Sequence, residues 1–340
     1  MGSVQAKMAI FFLRKLKTRA FRLIDDIDAF RREKEAIFSR VRPPKSVKIK
    51  EFTIEGLEAA RFYPPKVRHQ HKIVLYLHGG GYTSGSIKSH AGIVGKLALE
   101  TGIAHIAINY GLAPEHPYPH GLNHAIKAYQ WLMEEEYFRP EDIIIMGDSA
   151  GGGLTLSTLL KIKAMGLPQP MAAVVLSPWT DLTLSGDSAL QDTERDPILE
   201  TPKAKEWAGW YGGNDLKNPF ISPLYGDLEG LPPILIQVGT EEILLSDSVR
   251  FATAAALKGV DIELDIWDDM PHVWHFFWHY IPESKAAIQK IVVYLDARIE
   301  AQSSSTFERS GIYRVRKQRV RKRDRFVRLY NLGKQTLGGG

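Results

Sequence analysis

The 340-residue chain reads as an α/β fold, a mostly parallel sheet with helices on both faces. Two observations carry this reading. Short, continuous apolar runs recur along the chain. Segments with helical periodicity sit between most of them. No cysteine is present, which excludes a disulfide scaffold, a thiol nucleophile and any Cys-built metal site. The length suffices for a buried core, and 44% apolar with 24% charged residues excludes a wholly disordered chain.

The elements follow in order. Residues 9–38 read as helix, because Leu13, Leu16, Ala20, Leu23, Ile27 and Phe30 recur at three or four positions with Arg and Lys between them. Pro43 and Pro44 stop that pattern. Residues 47–63 read as short strands about a turn at Glu55-Gly56. Strand-like runs follow at 73–77, 103–108, 143–146, 172–176, 234–238 and 262–267. Helical stretches lie at 87–101, 121–136, 151–165, 246–258 and 283–299. Residues 186–219, rich in Asp, Pro, Trp and Gly, break the alternation and read as an insertion.

Charge is unevenly placed. Residues 1–50 and 301–340 each carry +9, whereas residues 51–300 carry −13. An acidic body with basic ends is not the layout of a nucleic-acid enzyme, whose positive charge belongs on the folded groove, so no nucleic-acid partner is expected. No apolar run is long enough to span a bilayer. Arg14, Lys15 and Lys17 interrupt the N-terminal apolar stretch too early for a secretion signal, so a soluble, cytoplasmic protein is expected.

Gly147-Asp148-Ser149-Ala150-Gly151 fits G-x-S-x-G. Chance places that pattern in roughly one chain in ten of this length, so its setting decides. A strand leads in and a small-residue helix leads out, the strand–turn–helix elbow that exposes a serine hydroxyl. The bland alternative is a turn with a helix-capping serine. His78-Gly79-Gly80-Gly81 follows the strand at 73–77, and consecutive glycines let backbone N–H groups point into a pocket. With the N–H of Ala150, those of Gly79 and Gly80 are the expected oxyanion hole. No Lys follows the glycines to make a phosphate loop instead.

Such a serine needs a base late in the chain and an acid between the two. His272 follows the last strand in Met270-Pro271-His272, and His275 and His279 lie beyond it among Trp274, Phe276, Phe277 and Trp278. Their reading as packed helix residues is favoured over catalysis, and no carboxylate completes a metal site with them. The acid is expected just past 234–238, where Glu241, Glu242 and Asp247 compete, each of which a helix N-terminus would also favour.

Together these blocks resemble the hormone-sensitive lipase family of α/β hydrolases, particularly its bacterial esterases, over residues 45–300. The family's HGGG and GDSAGG blocks stand at 78–81 and 147–152, and its Tyr-Arg-Leu-Ala-Pro-Glu-His block at 110–116 with Gly111 where Arg is usual. Its acid motif resembles residues 242–248, which selects Glu242. The resemblance implies an α/β-hydrolase fold with a helical cap: cap helices at 1–45, a catalytic domain at 46–300 with the cap insertion 186–219, and a basic extension at 301–340. Tyr82, Trp207, Trp210 and Tyr211 are the candidate pocket residues.

The expected activity is that of a serine carboxylesterase on short- to medium-chain acyl esters, with Ser149 as nucleophile, His272 as base and Glu242 as acid. No metal or organic cofactor is implied. An amidase or lactonase would use the same parts. A non-catalytic small-molecule receptor on this fold would have lost the histidine, so His272 argues for an enzyme. The ester substrate is the expected partner, with contact to an anionic membrane surface through the basic ends, or with a second copy as a homodimer, left open.

Overall fold

The computed structural model describes residues 2–20, 26–191 and 195–309; Leu23 and the basic run beyond 309 lie outside them. Eight strands form one sheet: β1 (Lys48–Ile54), β2 (Leu57–Tyr63), β3 (Ile73–Leu77), β4 (Ala104–Ile108), β5 (Ile143–Asp148), β6 (Ala172–Leu176), β7 (Ile234–Glu241) and β8 (Ile262–Pro271). Their order is β1-β2-β4-β3-β5-β6-β7-β8. β2 pairs antiparallel with β1 and with β4, and every pairing from β4 to β8 is parallel. Helices α3 (Ile87–Thr101), α4 (His120–Glu134), α5 (Ser149–Ala164), α8 (Leu245–Leu257) and α9 (Pro282–Arg309) flank the sheet. At the N-terminus lie α1 (Val4–Ala20) and α2 (Ile27–Phe38); the segment after β6 carries α6 (Asp187–Gln191) and α7 (Thr201–Gly212).

Alternation along the central strands divides the core in two. Ile73, Leu75 and Leu77 of β3 and Ile143 and Ile145 of β5 share one core with Leu122 and Ile126 of α4, Leu154 of α5 and Phe251 of α8. Val74 and Tyr76, with Ile144 and Met146, face the other way into a core with Ile93 and Leu97 of α3 and Ile288 and Ile291 of α9. Burial on both faces is why these strands read as unbroken apolar runs. Their parallel pairing directs the carboxyl ends of β3, β5, β6, β7 and β8 toward one edge, where parallel sheets place their ligands.

Three of the differences from the sequence reading bear on the domain layout and the site. The single helix expected at 9–38 is interrupted. Asp26 is extended, and its side chain accepts hydrogen bonds from the N–H groups of Asp28 and Ala29, capping a new helix at Ile27. Apolar periodicity runs through that break and hides it. β8 continues to Pro271 instead of ending at 267, so His272 directly follows the strand. α9 continues to Arg309, so position 300 falls inside a helix. No helix among the described residues is long and apolar enough to cross a membrane.

α2 is tied to the body by Arg31. Its Nε donates to the Thr83 carbonyl (2.8 Å), its Nη2 donates to the Ala113 carbonyl (2.9 Å), and the guanidinium forks onto Glu115 (2.6 and 2.7 Å). An arginine from the N-terminal helix thus reaches the 110–116 block, in which Gly111 stands where the family has Arg. Glu115 is half exposed, so solvent screens its ion pair, and the two backbone carbonyls share the anchoring with it. Arg31→Met should therefore cost about 1–2 kcal/mol of stability and speed amide exchange at residues 27–38. Unchanged exchange there, measured by mass spectrometry, would contradict this role.

Candidate active site

Ser149 is the first residue of α5, at the sharp turn from β5, with φ +55°. That is the left-handed region, which a non-glycine residue occupies only under constraint. The constraint is packing. A Cβ on Gly147 would overlap the Gly151 carbonyl, and one on Gly151 would overlap the carbonyls of Leu77 and His78. The turn closes only because glycine stands at both places.

Three predicted residues meet here. The Ser149 hydroxyl lies 2.9 Å from His272 Nε2, and His272 Nδ1 lies 2.7 Å from Glu242 Oε2. All three are buried. The second oxygen of Glu242 accepts from the Gly239 N–H (2.6 Å) and from the Ser177 hydroxyl (2.8 Å). The same Ser177 hydroxyl accepts from the Val273 N–H (3.2 Å), fastening the histidine loop. Burial alone would lower the basicity of His272, but the hydrogen bond and charge of Glu242 outweigh it, and the imidazole sits above its usual pKa.

The competing residues go elsewhere. Glu241 turns outward to Arg195 (2.7 Å to its Nε). Asp247 accepts from the N–H groups of Thr180 and Asp181 (both 2.8 Å), and burial beside Asp181 pushes its carboxyl up to about 7. His275 is hydrogen-bonded to Gln237 (2.9 Å) and pushed down to about 3 by burial, while His279 stacks on Trp278. Among the described residues, no group of three His, Cys, Asp or Glu is placed to hold a metal ion.

The glycine loop corrects one expectation. The N–H of Gly79 donates to Asp148 Oδ1 (3.0 Å) and is spent inside the protein. Tyr76 donates to the same oxygen (2.8 Å), and His90 lies 3.4 Å from the other. Burial opposes the charge of Asp148, but His90 and these hydrogen bonds prevail and keep its pKa low. Gly80 and Gly81 line the cavity beside Ser149 and Gly79 does not. The N–H groups of Gly80 and Gly81 have no acceptor among the described residues. Ala150, in the first turn of α5, has no intrahelical acceptor either.

The cavity at Ser149 measures about 90 Å³ and is mainly apolar. Phe30, Lys34, Glu35 and Phe38 of α2 line it, with Ile198, Leu199 and Trp207 of the 186–219 segment opposite. Trp207 is the one expected pocket residue on its wall. Tyr82 and Tyr211 stack on each other at 3.8 Å, buried behind the wall, and Trp210 packs on the core. The α2 residues and Ser177 were missed from sequence. Phe30, Lys34 and Phe38 recur every four residues, and Ser177 ends a strand beside the acid, signals legible only once the cavity's position is known.

A family profile described as alpha/beta hydrolase fold matches residues 74–276. The chain is 39% identical to an acetyl-hydrolase of Streptomyces hygroscopicus, over 65% of this chain and 74% of that one. It is 35% identical to an esterase of Acinetobacter venetianus, over 65% of this chain and 73% of that one. A crystal structure of an esterase from the bacterial hormone-sensitive lipase family superposes with a TM-score of 0.83 at 36% identity, covering 88% of this chain and 99% of that one. The chain belongs to the α/β-hydrolase fold family, in its hormone-sensitive lipase branch, a family of ester hydrolases.

The elbow packing predicts a reversal of the usual helix rule. Alanine for glycine in a helix normally gains about 1 kcal/mol. Gly209→Ala in α7, where nothing lies within 4 Å of the new Cβ, should follow that rule. Gly151→Ala should instead lose about 3 kcal/mol or more, because two backbone carbonyls must move. Urea unfolding of both variants checks this, and a stabilised Gly151→Ala would refute the packing argument.

Proposed function

We propose that the protein is a serine carboxylesterase that hydrolyses short- to medium-chain acyl esters through an acyl-enzyme. The observation that carries this reading is the continuous hydrogen-bonded chain Glu242–His272–Ser149 at a mainly apolar cavity. Ser149 attacks the ester carbonyl while His272 takes its proton. His272 then returns the proton to the leaving alcohol, and a water deacylates the serine by the same route. Glu242 holds the imidazole tautomer and stabilises its charged form. The N–H groups of Gly80, Gly81 and Ala150 receive the oxyanion, so Gly81 takes the place first given to Gly79.

α1, α2 and the 186–219 segment act as the cap over this site. Chain-length preference follows from volume. The cavity measures about 90 Å³, so a long acyl chain would leave most of its methylenes outside it. Each methylene gains about 0.8 kcal/mol only while it can be buried. An amidase would use the same residues, but nothing in the site selects a leaving amine over an alcohol.

A p-nitrophenyl ester series from acetate to palmitate tests the reading. The expected kcat/KM peaks at short or medium chains and falls for long ones; best activity on palmitate would overturn the size argument. Ser149→Ala and His272→Ala should each remove about 10⁴-fold or more of kcat, without additivity. Because His272 works as a neutral base and its pKa is raised, kcat/KM should fall as pH drops through a value above 6.5. Glu242→Gln should move that acid limb to lower pH and cut kcat by about 10³-fold or more, whereas Glu241→Gln should leave both nearly in place.

A further inference from the structure

α2 presents Phe30, Lys34 and Phe38 to the cavity as one stripe of the helix, at successive four-residue spacings. Lys34 occupies the position where the pattern calls for an apolar residue. Its ammonium lies 5.5 Å from the centroid of the Phe30 ring and 5.7 Å from that of Phe38, two rings of the cavity wall. Glu33, the adjacent residue, attracts Lys34 without reaching ion-pair distance, and the other neighbouring charges are committed elsewhere. Arg31 is held by Glu115 and two carbonyls. Glu35 is held by Lys88 (3.3 Å) and the Ser86 hydroxyl (2.6 Å). Asp196, which attracts Lys34 from beyond ion-pair distance, accepts from the N–H groups of Ile198, Leu199 and Ile243. Among the described residues, Lys34 has neither an ion-pair nor a hydrogen-bond partner.

We infer that Lys34 is a specificity-determining residue that receives the anionic end of an ester substrate, so that the enzyme favours half-esters of short dicarboxylic acids over neutral esters of equal length. The inference rests on the esterase reading above and adds the substrate class. An ammonium facing an apolar cavity has lost part of its hydration, which is why burial pushes its pKa down to about 8. A substrate carboxylate would restore what burial removed. In so apolar a surrounding a charge-assisted hydrogen bond outweighs the contact that a terminal methyl group would make there. Lys34 acts on binding and orientation only; the bonds made and broken remain those of ester hydrolysis at Ser149.

The test compares kcat/KM for monoethyl succinate with ethyl butyrate, and for monoethyl adipate with ethyl hexanoate, by ethanol release. The wild type should hydrolyse at least one half-ester with a higher kcat/KM than its neutral partner. Lys34→Met, which keeps the length and removes the charge, should lower that half-ester-to-neutral ratio about tenfold or more. Lys34→Arg should retain it. A ratio unchanged in Lys34→Met overturns the inference. So does a wild type that hydrolyses both half-esters more slowly than their neutral partners, a result that needs no variant to fold. Turnover of the neutral esters in that case would leave the esterase reading standing, whereas failure to hydrolyse any of the four would overturn both.

Discussion

The carboxylate of Glu242 and the imidazole of His272 meet in the interior, away from water, and the arrangement of the sheet's carboxyl edge follows from satisfying them. A buried carboxylate left without partners costs several kcal/mol. Here one oxygen takes the imidazole N–H and the other takes an N–H from Gly239 and the hydroxyl of Ser177. These partners come from the ends of β6, β7 and β8. The pair can exist only if those strands end at matching heights and their parallel register holds. Ser177 links the acid and the histidine loop, because its oxygen donates to one and accepts from the backbone of the other.

A second constraint ties the Ser149 turn to the glycine loop after β3. Asp148, the residue before Ser149, is buried and gathers Tyr76 and the Gly79 N–H onto one oxygen. The loop after β3 is therefore hung from the elbow itself. Spending the first glycine's N–H in this way turns the next two glycines toward the cavity. A Cβ on Gly81 would overlap the Trp207 ring, so the glycine also sets how closely the cap side can approach. The proposed oxyanion donors and the cavity wall thus share a few backbone positions.

Much of this was legible in the sequence, for a physical reason. Strands buried on both faces must be continuously apolar, so β3, β5 and β6 announce themselves. The elbow is legible because its glycines answer to backbone overlap. Glu242 needed the family's motif to be chosen over Glu241, since the two adjacent carboxylates differ only in which way the chain turns them. Gly79 was misassigned because sequence cannot say which N–H is already bonded. Tyr82, Trp210 and Tyr211 were placed on the cavity because aromatic content does not reveal facing. Tyr82 and Tyr211 stack on each other, and of the expected residues only Trp207, set against Phe30, reaches the wall. The break between α1 and α2 was hidden because a capping aspartate interrupts a helix without interrupting apolar periodicity.

The central claim is that His272, aligned by Glu242, makes Ser149 the one reactive hydroxyl of the protein. Labelling with a p-nitrophenyl organophosphate, mapped by peptide mass spectrometry, tests it most directly. One phosphoryl group per chain on Ser149, with p-nitrophenolate released in equal amount and labelling slowed strongly in His272→Ala, is the predicted result. Full esterase activity surviving stoichiometric labelling at another residue, or Ser149 labelled equally fast without His272, would contradict it.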